Sequence, residues 1–184
     1  TVSLEQPETL IEFAAENATW FVDRSLVAHT DYFVPLMKAE EALLARHGVD
    51  KDQIEHIPLV TEADPEFRDP TESKAALGVE GQQVVTAFGW VRESKGYDRV
   101  VEVLNRLPDD VVFVVAGGTR TDKQAAYLND LRGLVERRGL DDRVVFTGYV
   151  GRDEHPTIMS ATDAMVFPYR DNRASDALAR ALSY

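Results

Sequence analysis

The chain has 184 residues, a formal net charge of −12 and no cysteine. That length suffices for one packed domain and part of a second. The charge argues against binding nucleic acid or anionic lipid, and the missing cysteines exclude disulfides, thiol nucleophiles and sulfur-ligated zinc.

Hydrophobic residues at 44% and charged residues at 28% fit a water-soluble globular fold. Arginine outnumbers lysine, and acids outnumber both together. Two readings of that balance stay open: an acidic surface adapted to a very salty cytoplasm, or simply an acidic protein. No apolar run is long enough to cross a bilayer, and no basic-then-apolar leader opens the sequence. A cytoplasmic location without a transmembrane segment is therefore expected.

In chain order, "PETLIEFAAENA" (7–18) carries apolar residues at helical spacing, with Pro7 suited to a first turn. "TWFVD" and "SLVAHT" have strand character. "DYFVPLMKAEEALLARHGV" predicts a helix from about Asp31 to Gly48, with Pro35 in its first turn or marking a later start. "QIEHIPLV" predicts a strand. "TEADPEFRDPTES" (61–73) is polar and aperiodic and reads as a linker.

A regular alternation follows. "QVVTAF", "DVVFVVAGG", "RVVFTGYV" and "DAMVFPY" predict strands, separated by helices in "GYDRVVEVLNRL", "DKQAAYLNDLRGLVERRGL" and "RDEHPTIMSAT". A last helix is predicted at 174–184, with Asn172 as its cap and an apolar face of Ala174, Ala177, Leu178, Ala181 and Leu182. The strands are unbroken apolar runs, as expected where helices cover both faces of a parallel α/β sheet. Ligands in such sheets bind beyond the carboxyl ends of the strands.

The loops after the strands are thus the candidates. "FGWVRESKG" places Arg92 and Lys95 behind Gly89 and ahead of a helix, an arrangement suited to an anion. On these residues alone a solvent-exposed basic loop is the commoner outcome. The loop has neither the dinucleotide fingerprint nor the Walker spacing. Gly117 and Gly118 in "AGGTRTDK" permit close backbone approach to a ligand or simply turn the chain. In "TGYV", Gly148 leaves room for a planar group, while Tyr149 stacks on a ligand or, more commonly for such a residue, packs in the core. His29, His47, His56 and His155 lack metal-ligand spacing and read as structural or surface residues.

The series "AFGWVRESKGYDRVVEVLNRL", "VVFVVAGG", "LDDRVVFTGYV", "SATDAMVFPYR" resembles the C-terminal half of family 4 of the GT-B glycosyltransferases. The resemblance implies a Rossmann-like parallel sheet in a donor-binding domain at 82–184, incomplete at its end. It makes 61–81 a linker and 1–60 the close of an N-terminal acceptor domain with the hinge, so the chain looks like a piece of a larger enzyme, inactive alone.

What the resemblance implies chemically is transfer of a sugar from a nucleotide-diphosphate sugar to an acceptor hydroxyl, with retention and without metal or other cofactor. The acceptor is a glycan, lipid or small molecule, and peripheral membrane association of the full-length protein is compatible with it. Lys95 would contact the diphosphate and Gly89 would open its loop. Trp90 stands where the family often has arginine, so Arg92 or Arg170 would assist. Gly117 and Gly118 match the second loop, and Gly148 and Tyr149 match the turn that accepts the base. Asn172 and Arg180 occupy the two places where the family commonly has glutamate, and Arg173 lies in the same turn. A nucleotide-sugar epimerase and a non-catalytic partner subunit are the alternatives.

Overall fold

The computed structural model describes residues 27–36, 38–59, 65–170 and 175–184. The predicted helix at 7–18 and strand in "TWFVD" lie outside the described residues. So do Asn172 and Arg173. The chain divides into two compact units, Thr1–Leu59 and Val60–Tyr184.

In the first unit Val27 and Ala28 are helical, not extended as "SLVAHT" suggested. Helix α1 spans Lys38–Arg46. It starts later than Asp31 because the preceding residues are extended. Phe33 forms a parallel bridge with Ile54, flanked by bonds from Phe33 N to Gln53 O at 2.8 Å and from Glu55 N to Phe33 O at 3.0 Å. Pro35 thus ends an extended segment. Glu40 and Glu41 in the first turn of α1 and Arg46 in its last complement the helix dipole.

The second unit is a four-stranded parallel sheet: β1 (Gln83–Phe88), β2 (Val111–Ala116), β3 (Val144–Gly148) and β4 (Ala164–Met165). The order is β3-β2-β1-β4. The connecting helices are α2 (Pro70–Ala76), α3 (Tyr97–Leu104), α4 (Asp122–Arg137), α5 (His155–Ala161) and α6 (Asp176–Ala181). β2 is buried at every position, and its alternate residues point to opposite faces. Phe113 and Val115 join Val101 and Leu104 of α3 and Leu131 and Val135 of α4 on one side. Val112 and Val114 join Ile158 and Met159 of α5 and Ala177 of α6 on the other. This double coverage explains the unbroken apolar strands and establishes the expected Rossmann-like α/β architecture.

Two stretches differ from expectation. Residues 70–76, inside the predicted linker, form α2. Asp69 caps it by accepting from Glu72 N at 2.9 Å, and Pro70 fits its first turn. The Arg68 guanidinium then donates to Thr157 Oγ1 at 2.6 Å and Asp153 O at 3.0 Å, tying this stretch to α5. Local polarity hid a segment whose partners lie more than eighty residues away in the chain. The strand in "DAMVFPY" is also shorter than predicted. After Val166 N donates to Thr86 O at 2.8 Å, the chain leaves the sheet toward Pro168, which has no N–H to donate.

β4 is short but anchored. Lys74 Nζ and Val84 N both donate to the Asp163 carboxylate at 2.6 Å. Burial raises that carboxyl's pKa, but these two bonds outweigh it and hold the group below its ordinary value.

Candidate functional site

The loops after β1, β2 and β3 and the start of α6 enclose a cleft of about 440 Å³, lying wholly in the second unit at the carboxyl ends of the strands. β1 has β2 on one side and β4 on the other, so the strand order reverses there, where such sheets open a crevice. Gly89, Arg92, Lys95, Gly117, Gly118, Tyr149 and Arg180 all line this cleft. Gly148, the last residue of β3, sits just behind Tyr149 with φ of 75°.

The floor is bare backbone. A Cβ on Gly117 would lie 1.8 Å from Gly89 O, and one on Gly118 would lie 3.1 Å from Tyr149. Gly89 N donates to Ala116 O and Val91 N to Gly118 O, both at 2.9 Å, which locks the two loops together. Tyr97 OH donates to Gly89 O at 2.9 Å from below. Burial first, and then its tyrosine neighbours, push the Tyr97 hydroxyl well above the ordinary tyrosine range, so it stays a neutral donor.

Lys95 is not part of an exposed loop. It closes a 3₁₀ turn, Glu93–Lys95, and is 8% exposed. Its Nζ donates to Tyr169 OH at 2.6 Å and stands 4.0 Å from the centre of that ring. Among the described residues no carboxylate pairs with it. A buried ammonium without a counter-ion is costly, and an anion in the cleft would supply one. Arg92 is exposed at the mouth, and among the described residues its guanidinium makes no hydrogen bond or ion pair. Arg180 lines the far wall, 4.0 Å from Asp176 one turn earlier. The cleft of this acidic chain is thus locally basic.

Tyr149 is 69% exposed, which corrects the expectation of core packing. Its turn points outward, and its ring lies 5.6 Å from that of Trp90 at 31°. Arg120 stands 4.7 Å from the opposite partner, Trp90. The rim therefore carries planar surfaces suited to a flat ligand group.

Arg170 is the clearest departure from the predicted site. It does not line the cleft. Its guanidinium makes a two-pronged ion pair with Asp98, with one bond at 2.8 Å, and also donates to Glu93 O at 2.9 Å. Tyr127 OH donates to the same carboxylate at 2.6 Å. The Arg170 hydrogen bond, working against burial, holds the Asp98 carboxyl at about 2. Burial, then that carboxylate, pushes Tyr127 up to about 12. The stretch 168–170 is further tied to the loop after β1. Arg170 N donates to Ser94 O at 2.9 Å, and Arg99 Nη1 donates to the carbonyls of Pro168 and Tyr169 at 3.3 Å.

The cap of α6 is Ser175, which accepts from Leu178 N, rather than Asn172. Ala177 of the predicted apolar face is buried, but Leu178 and Leu182 are exposed. Sequence reasoning also missed His155, which lines the cleft with its ring edge-on to Phe88 at 5.1 Å. The residue before Pro156 in a short helix gave no sign of this.

The match to known proteins falls on this same region. The family described as glycosyl transferases group 1 matches residues 69–182. This chain belongs to that family. Mannosylfructose-phosphate synthase of Agrobacterium fabrum is 31% identical over 139 residues, covering 71% of this chain and 30% of the relative. The lipopolysaccharide core mannosyltransferase LpsB of Rhizobium meliloti is 32% identical over 165 residues, covering 82% and 45%. The chain thus spans less than half the length of either relative. Among solved structures, Anabaena HepE with UDP and glucose superposes with a TM-score of 0.71 at 19% identity, covering 80% of this chain and 40% of that one. Sucrose-phosphate synthase of Thermosynechococcus elongatus gives 0.70 at 24% identity, covering 87% and 40%. The matched span of the group 1 domain begins at the cap of α2 and ends just past α6, so it contains the whole cleft. No described helix is long and apolar enough to cross a membrane.

Proposed function

We propose that residues 82–184 form the donor-binding domain of a glycosyltransferase that moves a sugar from a nucleotide-diphosphate sugar to an acceptor hydroxyl, with retention and without metal. The observation that carries the reading is Lys95, a buried cation at the carboxyl end of β1 that faces a cleft and has no carboxylate partner among the described residues. The diphosphate would lie against Lys95, with Arg92 closing from the mouth. These groups would offset the charge that develops on the leaving diphosphate. This reading leaves Arg170 out, because Asp98 already pairs with it. The base would lie on the rim formed by Gly148, Tyr149 and Trp90. The family resemblance assigns the acceptor, a glycan, lipid or small molecule, to an N-terminal domain that residues 1–60 would close and 61–81 would link. A cytoplasmic setting suits this chemistry. The named relatives support the reading: LpsB is a mannosyltransferase, and HepE is seen with UDP, glucose and UDP-glucose.

The second reading, a nucleotide-sugar-binding subunit without catalytic function, draws on Arg180, which lines the cleft where the family resemblance places an acid. The test is calorimetric titration with UDP, GDP and ADP against the matched nucleosides. A diphosphate that binds at least tenfold more tightly than its nucleoside is expected. Equal affinity for both, or no binding of any diphosphate, would overturn the donor assignment. Sugar transfer by the full-length protein then separates the catalytic from the non-catalytic reading.

A further inference from the structure

Three buried or half-buried groups form a chain of hydrogen bonds along one wall of the cleft. Lys95 Nζ lies 2.6 Å from Tyr169 OH, Tyr169 OH lies 2.8 Å from Ser175 Oγ, and Ser175 Oγ accepts from Leu178 N at 3.1 Å. Lys95 and Ser175 are each 8% exposed and both line the cleft. Tyr169 does not line it. The tyrosine stands behind the wall, with its ring edge-on to Phe167 at 5.7 Å.

The direction of these bonds follows from counting donors and acceptors. An ammonium group only donates, so the Tyr169 oxygen accepts from Lys95. The tyrosine has one proton to give. If it goes to Ser175, the serine oxygen accepts twice, from Tyr169 and from Leu178 N, and is filled. The serine's own proton then has no acceptor among the described residues and is free to point into the cleft. In the reverse arrangement Ser175 donates to Tyr169. The tyrosine proton is then the one without an acceptor, and it sits behind the wall, away from any ligand. Each arrangement leaves one hydroxyl proton without an acceptor among the described residues, but only the serine's faces the cleft; an anion bound there would accept it and so select the first arrangement.

We infer that Tyr169 is a positioning residue: it orients the bonds between Lys95 and Ser175 so that both present donors to one anionic group in the cleft. Lys95 has two N–H donors left and Ser175 has one O–H. Three donors on one wall suit a phosphoryl oxygen cluster. Ser175 is thereby a further anion-binding residue, using its side chain rather than its place at a helix end. The inference rests on the donor reading above.

The test is Tyr169→Phe in the whole chain, which keeps the ring and its packing and removes only the hydroxyl. Calorimetric titrations with UDP, GDP, ADP and the matched nucleosides supply the readout. Diphosphate affinity is expected to fall about fivefold or more, while nucleoside affinity stays within twofold of the parent. A residue with only a structural role would lower both together or neither, and either result overturns the inference. Ser175→Ala is the second perturbation. It removes the outward O–H and is expected to show the same selective loss, whereas equal loss for diphosphate and nucleoside would again overturn it. The two readings fail differently. A parent chain that binds no diphosphate sinks both, while a parent that binds diphosphate with Tyr169→Phe unchanged sinks only this one.

Discussion

Replacing Gly117 with alanine puts a methyl carbon 1.8 Å from Gly89 O and 2.7 Å from its carbonyl carbon. Carbon contacts become comfortable only near ~3.5 Å. Both obstacles are backbone, so no side chain can rotate aside. Gly89 is also fixed by three bonds around it: its N–H to Ala116 O, the Tyr97 hydroxyl on its carbonyl, and the neighbouring bond from Val91 N to Gly118 O. Relief requires the end of β1 to move, and some of these bonds to break. Overpacking ordinarily costs about 1–3 kcal/mol, and the rigidity of this contact places Gly117→Ala at the upper end, about 3 kcal/mol. At roughly 2–4 °C per kcal/mol for a chain of this size, melting should fall by roughly 6–12 °C.

Gly118→Ala is the internal comparison. Its methyl would meet Tyr149 at 3.1 Å, a contact that an exposed turn relieves by a few tenths of an ångström, so about 1 kcal/mol is expected. The assay is thermal and urea unfolding of the parent and both variants. A Gly117→Ala midpoint within 2 °C of the parent (far below the roughly 6 °C expected), or a larger loss from Gly118→Ala, would refute the claim that the two loops touch through backbone at this point.

Three further outcomes are expected. Lys95→Ala should weaken diphosphate binding by about 1.5–3 kcal/mol, roughly ten- to hundred-and-fiftyfold, with nucleoside binding nearly unchanged in the same titration; matched losses would mean damaged folding. Asp98 is held at about 2, below its ordinary 3.8, so its pairing with Arg170 stabilises the fold fully above about pH 5 and is lost progressively as pH falls through 4 toward 2. The urea midpoint gap between the parent and Asp98→Asn should therefore hold steady from neutral pH down to about 5 and close below about 4; a gap unchanged at pH 3 would contradict the assignment. Arg180 cannot accept a hydrogen bond from a ribose hydroxyl, so the parent should prefer ribo- over deoxyribo-diphosphates by less than about tenfold. Arg180→Glu should raise that preference, and a strong preference in the parent would remove the argument.

The sheet was readable in the sequence because its cause is local. A strand covered on both faces must be apolar at every position, and "VVFVVA" is such a run. The loops of the cleft were readable for the same reason, since they must follow those strands. What could not be read was the partner of each cation. Lys95 and Arg170 both sit in polar loops, and both resembled free cations. Lys95 is buried because Tyr169, 74 residues later, covers it. Arg170 is occupied because Asp98, 72 residues earlier, pairs with it. Nothing within several residues of either arginine or lysine encodes that division. Asn172 and Ser175 are both good cap formers three residues apart, and only the site of the Leu178 N–H bond distinguishes them. Tyr149 misled because aromatic residues beside strands usually pack inward, whereas the turn after Gly148 directs this one to the rim.

The ties between residues 92–99 and 168–170 have a consequence for how this cleft can be altered. Two segments far apart in sequence behave as one part, joined through Ser94, Glu93, Lys95 and Arg99 on one side and Pro168, Tyr169 and Arg170 on the other. A loop transplanted from a relative at 89–96 alone would arrive without the residues that shape it, and an insertion in either segment would break the register of both. They should be exchanged together. The loop at Thr119–Thr121 has no such tether to 168–170 among the described residues, and Arg120 on it is exposed. Changes of length or chemistry meant to retune the rim without collapsing the wall belong there.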